Sequence, residues 1–245
     1  MVSMDFSIWA QTDVGLKRKQ NQDSILVEKK LGLVVVADGM GGHKGGEVAS
    51  DIAITTAKKI MQDQLMTGDK VNPRDLVEKI ITVSNKNIFH EAHVVNTELQ
   101  GMGTTMVVGI ITEKNIYFGN VGDSRAYLYK DKNLWQVTED HSLINEQIKA
   151  GFLSEEESET AAGKNVITRS VGFAEEVDVD VFEREISPGE TYMLCSDGLC
   201  GLISDQDISD LFQANPIDKV TPVFVEEAKK AGGDDNISVI VVQFK

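Results

Sequence analysis

The sequence predicts an α/β (α+β) fold with largely antiparallel sheets, and three observations carry that prediction. Strand-like runs come first, then two long helical segments, then more strands, then late helices ahead of one final strand. The strict strand–helix–strand alternation of a doubly wound parallel sheet is absent. No internal repeat and no Pro/Gly/Ser-rich linker divides the chain, which holds only four prolines, so a single domain over residues 1–245 is expected.

Each element has a local reason. Phe6 to Thr12, Ser24 to Glu28 and Leu31 to Ala37 read as strands, the last ending in Val34-Val35-Val36-Ala37 as a buried strand does. A helix is expected from about Glu47 to Leu65, where Val48, Ile52, Ile60 and Leu65 recur near helical spacing. A second runs from about Pro73 to His93. Pro73 suits a first turn, and Leu76, Ile80, Ile81, Ile88 and Phe89 form its apolar face. Strands resume over Thr105 to Thr112, Asn115 to Val121, Ser124 to Lys130 and Leu134 to Val137, with Met106 to Ile111 apolar and β-branched. Ser142 to Ala150 reads as a short helix, and the acidic run Glu155 to Glu159 as an exposed helix or flap. Val177 to Arg184 and Thr191 to Cys195 are strands. Helices follow near Ser204 to Gln213 and Ile217 to Lys230, and Ile237 to Phe244 closes the chain as a strand.

Composition excludes several functions. A chain of 245 residues that is 41% hydrophobic can bury a sizeable core. Its formal net charge of −15 argues against binding nucleic acid or anionic membrane surfaces. No apolar run approaches the roughly 18 residues of a membrane span. The opening Met1-Val2-Ser3-Met4-Asp5 lacks a basic segment followed by an apolar one, so no signal peptide and a cytoplasmic location are expected. Cys195 and Cys200 make neither a disulfide framework nor a zinc pair.

Several aspartates share one context, in which a strand ends, Asp follows, and a glycine or other turn residue comes next. Asp38-Gly39 follows Val34 to Ala37, Asp123 follows Phe118 to Gly122, Asp197-Gly198 follows Tyr192 to Ser196, and Asp235-Asn236 precedes the final strand. For any one of these, a hairpin turn is the ordinary reading. Asp38 and Asp197 strain it, because each ends a near-continuous apolar strand, where unpaired charge is costly. Several carboxylates at one sheet end would repel and be driven toward protonation. Hard cations such as magnesium or manganese remove that conflict. The glycine-rich stretch from Gly39 to Gly46 matches no nucleotide-binding fingerprint, and Gly39 lets the backbone approach closely enough for its carbonyl to be a ligand.

With these residues the sequence resembles the type 2C metal-dependent serine/threonine protein phosphatases, especially their compact bacterial form. The resemblance covers essentially the whole chain. Thr12-Asp13-Val14-Gly15 with Arg18 and Asn21-Gln22-Asp23 looks like the family's opening motif, and Asp38-Gly39-Met40-Gly41-Gly42-His43 like its central metal motif. Gly103-Thr104-Thr105, Gly122-Asp123-Ser124-Arg125, Asp140-His141-Ser142-Leu143 and Thr168-Arg169-Ser170-Val171-Gly172 follow in the family's order. Ser196-Asp197-Gly198-Leu199 and Gly233-Asp234-Asp235-Asn236 complete the set. The resemblance implies a central antiparallel β-sandwich flanked by helices on both sides, with a flap at about 142–167. It implies two Mn2+ or Mg2+ ions. Asp38 would bridge them, the Gly39 carbonyl would ligate one, Asp197 and Asp235 would hold the other, and Asp23 would act through water. A third, weaker site would use Asp123 with Asp197, and Arg18 would bind the phosphate oxygens. The general acid would be His43 or a metal-bound water, since animal members carry a histidine where Met40 stands.

The implied reaction is hydrolysis of phosphoserine and phosphothreonine in proteins by direct attack of a metal-bridging hydroxide. No phosphoenzyme is implied, and none of the usual nucleophile motifs is present: an Arg six residues after either cysteine would be needed, and Gly201 and Gln206 stand there. The implied partners are phosphorylated proteins and a serine/threonine kinase, acting with a monomeric enzyme. Two other functions compete: a catalytically silent metal-binding regulatory relative, and a metallohydrolase of small phosphate esters. His90 and His93 read as ordinary helix residues. His141 reads equally as structural or as orienting the flap, Arg125 and Arg169 as salt-bridge partners or phosphate contacts, and Trp9 and Trp135 as core or half-buried.

Overall fold

The computed structural model of the chain describes residues 5–42, 45–68, 70–158, 163 and 166–245. His43 and part of the expected flap lie outside the described residues. Phe6–Asp13 (β1), Asp23–Glu28 (β2) and Leu33–Met40 (β3) lead into the helices Gly45–Thr67 (α1) and Pro73–His90 (α2). Gly103–Thr104 (β4), Met106–Ile111 (β5), Asn115–Val121 (β6), Arg125–Lys130 (β7) and Asn133–Gln136 (β8) follow. Next come Leu143–Lys149 (α3), Glu155–Ser158 (α4), Asp180–Glu185 (β9), Thr191–Cys195 (β10) and Asp197–Cys200 (α5). Asp205–Ala214 (α6), Val220–Lys230 (α7) and Ile237–Phe244 (β11) end the chain.

Successive side chains leave a strand on opposite faces, and here both faces are covered. On β3, Val34 and Val36 enter one apolar cluster, while Leu33, Val35 and Ala37 enter a second with residues of α1 and α2. On β11, Ile240, Val242 and Phe244 meet the first cluster, whereas Ile237, Val239 and Val241 face Ile208, Phe212, Phe224 and Val225 of α6 and α7. The first cluster is the interior of a sandwich between two sheets, ordered β1-β11-β10-β7-β8 and β2-β3-β5-β6-β9, with β4 paired to the end of β3. The pairings are antiparallel. The result is the four-layer helix–sheet–sheet–helix arrangement expected. It explains why these strands read as unbroken apolar runs rather than alternating ones. Each fully buried Val or Ile contributes roughly 1.5–3 kcal/mol.

Four expectations shift. The strand expected from Val177 begins at Asp180, opposite Asn120 beside the end of β6, and the Asp178 carbonyl ahead of it accepts from the Arg169 side chain (3.2 Å). The second helix ends at His90 and widens into a π-helical turn over Glu91–Val95. Asp197 opens a helical turn that the strand reading of this segment passed over. Trp135 is neither core nor half-buried: it lies 47% exposed on the edge strand β8, past the cover of the sandwich. Trp9 does pack, partly buried, against the cluster under α6 and α7.

Candidate active site

Strand ends and the loops adjoining them deliver five aspartates to one place. β2 and β3 set Asp23 directly opposite Asp38 in register, a cross-strand pairing of like charges that is unfavourable by itself. β10 ends at Cys195, and Ser196 then turns the chain into α5 with Asp197 at its first position. The Ser196 hydroxyl donates to Asp23 Oδ2 (2.8 Å), which joins the two sheets at this rim. Asp235 lies just ahead of β11, and Asp123 in the loop from β6 to β7.

The electrostatics follow from this crowding. Asp38 is held well above the usual carboxylate range by burial first, then by the charges of Asp23, Asp197, Asp123 and Asp235. Burial pushes Asp23 up to about 6, against hydrogen bonds from Ser238 and Ser196 that stabilise its charged form. Burial, with the charges of Asp197 and Asp140 behind it, raises Asp123 to about 7. Asp197 is raised by burial and then by Asp235.

The surrounding backbone is fixed by residues whose roles the sequence did not announce. Thr105 Oγ1 accepts from the Asp38 amide (3.0 Å), while the Thr105 amide and the Thr104 hydroxyl donate to the Asp38 carbonyl (2.8 and 2.9 Å). Asn236, buried, donates its side-chain amide to the carbonyls of Val14 and Gln20 (3.0 Å each) and accepts from the Gln22 amide (2.7 Å). It therefore fastens the loop that carries Arg18. That loop places Arg18 Nη2 2.6 Å from Asp235 Oδ2. Asp234 points outward to Lys17 (2.6 Å), so Asp235, not its neighbour, joins the cluster. Two glycines are fixed by close crossings. A Cβ on Gly39 would stand 2.0 Å from the Gly46 carbonyl oxygen, and one on Gly198 would stand 1.9 Å from that of Asn236.

Whether cations fit can be judged from the donors. Buried Oδ1 atoms of Asp23, Asp123 and Asp197 have no hydrogen-bond partner among the described residues, although buried polar atoms are almost always satisfied. Oxygen-only donors of this kind suit magnesium or manganese. Among the described residues no three such groups converge closely enough to hold an ion unaided. A cation here would complete its shell with carbonyl, water or phosphate oxygens, as magnesium commonly does. Beside the cluster opens a cleft of about 750 Å³, bordered by Asp123, Asp197, Arg125, Asp140, Ile148 and Asp205 among others.

The remaining candidates separate cleanly. Arg125 is committed to a forked pairing with Asp140 (2.7–3.0 Å) and to Tyr127 Oη (2.8 Å). Arg169 pairs with Asp180 (2.9 Å). His93 stacks on Phe89 at 4.0 Å and bonds its carbonyl, as an ordinary helix residue does. Both cysteines are free. No described helix is long and apolar enough to cross a membrane.

Comparison with known proteins agrees with this geometry. A family model described as protein phosphatase 2C matches residues 17–231. The chain is 34% identical over 239 residues to the serine/threonine phosphatase stp of Listeria innocua, covering 95% of this chain and 94% of the relative. It is 36% identical over 236 residues to protein phosphatase PhpP of Streptococcus pneumoniae, covering 94% of each. Among solved structures, the Mycobacterium tuberculosis serine/threonine phosphatase PstP/Ppp superposes with a TM-score of 0.90 at 30% identity, covering 98% of this chain and 99% of that one. A structure of the PstP catalytic domain in complex with two manganese ions superposes with a TM-score of 0.87 at 30% identity, covering 98% of each chain.

Proposed function

Because the chain belongs to the protein phosphatase 2C family, we propose that it hydrolyses phosphoserine and phosphothreonine in proteins as one catalytic domain spanning residues 1–245. The observation that carries the proposal is the group of orphaned, buried carboxylate oxygens beside a cleft, with the Arg18 guanidinium 2.6 Å from Asp235 of the same cluster. Asp38, the Gly39 carbonyl, Asp197 and Asp235 would hold two divalent cations, with Asp23 acting through water. Asp123 with Asp197 would take a third, more weakly. When bound, the cations supply an acidified water as nucleophile and positive charge against the phosphoryl oxygens. The chain's own residues do the rest. Thr104 and Thr105 hold the Asp38 backbone at both its amide and its carbonyl and so fix the point from which its carboxylate projects. Arg18 offers a planar guanidinium to the phosphoryl oxygens, and Asn236 fixes the loop that presents it.

The partners would be phosphorylated proteins and a serine/threonine kinase that modifies them, in the cytoplasm, with the enzyme acting as a monomer. The test is phosphate release from a phosphothreonine peptide. Release with manganese, abolished by EDTA, is expected. No release at any manganese concentration from folded protein would overturn the proposal.

Arg18→Ala is expected to raise KM for the phosphopeptide by roughly 10-fold while kcat changes little, the pattern of lost uniform binding. Steady-state kinetics decide it. A fall in kcat at unchanged KM would instead place the guanidinium's effect in the transition state.

A further inference from the structure

His141 is 6% exposed, and its polar atoms tie it to three other segments of the chain. Its amide donates to the Gly122 carbonyl (2.9 Å), which also accepts from Asn120 Nδ2 (3.4 Å), and its ring Nδ1 accepts from the Gly122 amide (3.1 Å), so His141 bonds both polar groups of Gly122. Its carbonyl accepts from Thr168 (2.9 Å), at the far root of the flap. Its Nε2 lies 3.2 Å from Asp180 Oδ2, at the start of β9. Arg169 binds the other oxygen of that carboxylate (2.9 Å) and stands 3.2 Å from the same Nε2.

Hydrogen-bond chemistry fixes the ring's state. An amide can only donate, so Nδ1 must be the bare nitrogen and Nε2 must carry the proton, donated to Asp180. Nε2 and the Arg169 guanidinium are then both donors, and they share Asp180 rather than bond each other. Protonating Nδ1 would break the Gly122 contact and place a second cation beside Arg169. Burial, reinforced by Arg169, holds the ring below its ordinary range despite Asp180. The residue following Gly122 is Asp123, whose buried Oδ1 has no partner. Among the described residues nothing else bonds the Gly122 amide, so the imidazole is the one group that holds the peptide leading into Asp123 by its N–H.

We propose that His141 is a positioning residue that clasps the Asp123 turn to the roots of the flap, and thereby sets the affinity of the cation at Asp123. It touches neither substrate nor metal. The proposal rests on the reading of Asp123 as a cation ligand. By linkage, a change at Thr168 or Asp180 that loosens the clasp weakens the cation, and the cation in turn strengthens the clasp.

The test is calorimetric titration of Mn2+ into the intact protein, with Asp123→Asn identifying the binding step that depends on Asp123. His141→Asn keeps an acceptor at the Nδ1 position; His141→Gln reaches Asp180 and gives up the Gly122 contact. His141→Gln is expected to weaken the Asp123-dependent step by roughly 10-fold or more, the size seen for residues that orient ligands, and His141→Asn to restore most of it. Unchanged binding by His141→Gln would overturn the proposal. All steps surviving in Asp123→Asn would instead remove Asp123 from the ligands. Should the glutamine variant not fold, the tautomer of His141 in the wild-type protein, read by nitrogen-15 NMR, still decides. A proton on Nε2 supports the clasp, and a proton on Nδ1 overturns it.

Discussion

Asp38→Asn is expected to lower kcat/KM toward a phosphothreonine peptide by roughly 10³-fold or more, about 4 kcal/mol of transition-state stabilisation. It is also expected to make the metal-free protein more stable. Both follow from one fact: four other carboxylates press on Asp38, and its own burial penalises its charge. An asparagine keeps the shape and removes the charge, relieving a strain on the order of 1–3 kcal/mol. The same neutral side chain attracts divalent cations far less. The paired outcome separates this account from simple misfolding, which would lower activity and melting temperature together. Melting in EDTA beside steady-state kinetics in manganese gives both halves. Near-normal turnover would remove Asp38 from the metal bridge. Lost turnover with lowered metal-free stability would mean that its charge is paired in a way the geometry does not describe.

The mixed class was legible in the sequence, whereas the sandwich itself was implied by the family resemblance; the central strands β3 and β11 show why, since each is covered on both faces. Val34 to Ala37 and Ile237 to Val242 lack polar alternation, and that pattern requires cover on both faces, which the structure supplies as a second sheet on one side and helices on the other. Sheet pairing was not legible, since the contacts that decide it join residues such as Phe6 and Phe244, from opposite ends of the chain. The aspartates stood out because carboxylates at the ends of apolar strands are anomalous one by one. Their convergence did not show in spacing. It depends on Ser196 reaching Asp23 across 173 positions and on Asn236 reaching the loop before β2.

What the sequence hid most completely were neutral side chains that act on backbone. Thr105 holds Asp38 by its amide, and His141 holds Gly122 by its amide. A threonine in a strand or a histidine after an aspartate gives no pattern from which such a contact could be read. The helical turn at Asp197 was missed for a related reason. Four residues are too few for periodicity, and the turn shows only in the structure, where Gly198 passes close against the Asn236 carbonyl.

Without metal, the protein is expected to become more stable as pH falls from 8 to 5, the reverse of ordinary acid behaviour. Asp123 sits near about 7 and Asp23 near about 6, each raised from 3.8. Asp38 and Asp197 are raised as well. A group with a raised folded pKa binds its proton in the folded state while the unfolded chain has released it. For Asp23 and Asp123, stability therefore falls as pH rises from about 4 to about 7, and their full cost is present above that. One fully differential proton is worth about 1.4 kcal/mol per pH unit. A net gain of a few kcal/mol corresponds to roughly 5–10 °C in Tm for a chain of this size. His141, held neutral by burial, opposes the trend because the unfolded imidazole gains its proton in the same window. Asp13 and Asp180, both lowered, act only below the ordinary carboxylate range and so leave this window alone. Saturating manganese should flatten or reverse the slope, since protons then compete with cations for the same oxygens. Thermal melts at pH 5 and pH 8, in EDTA and in manganese, decide it. An EDTA melt that falls on acidification would mean that the aspartates are charged and paired in the metal-free fold, and the cation-binding cluster would lose its electrostatic basis.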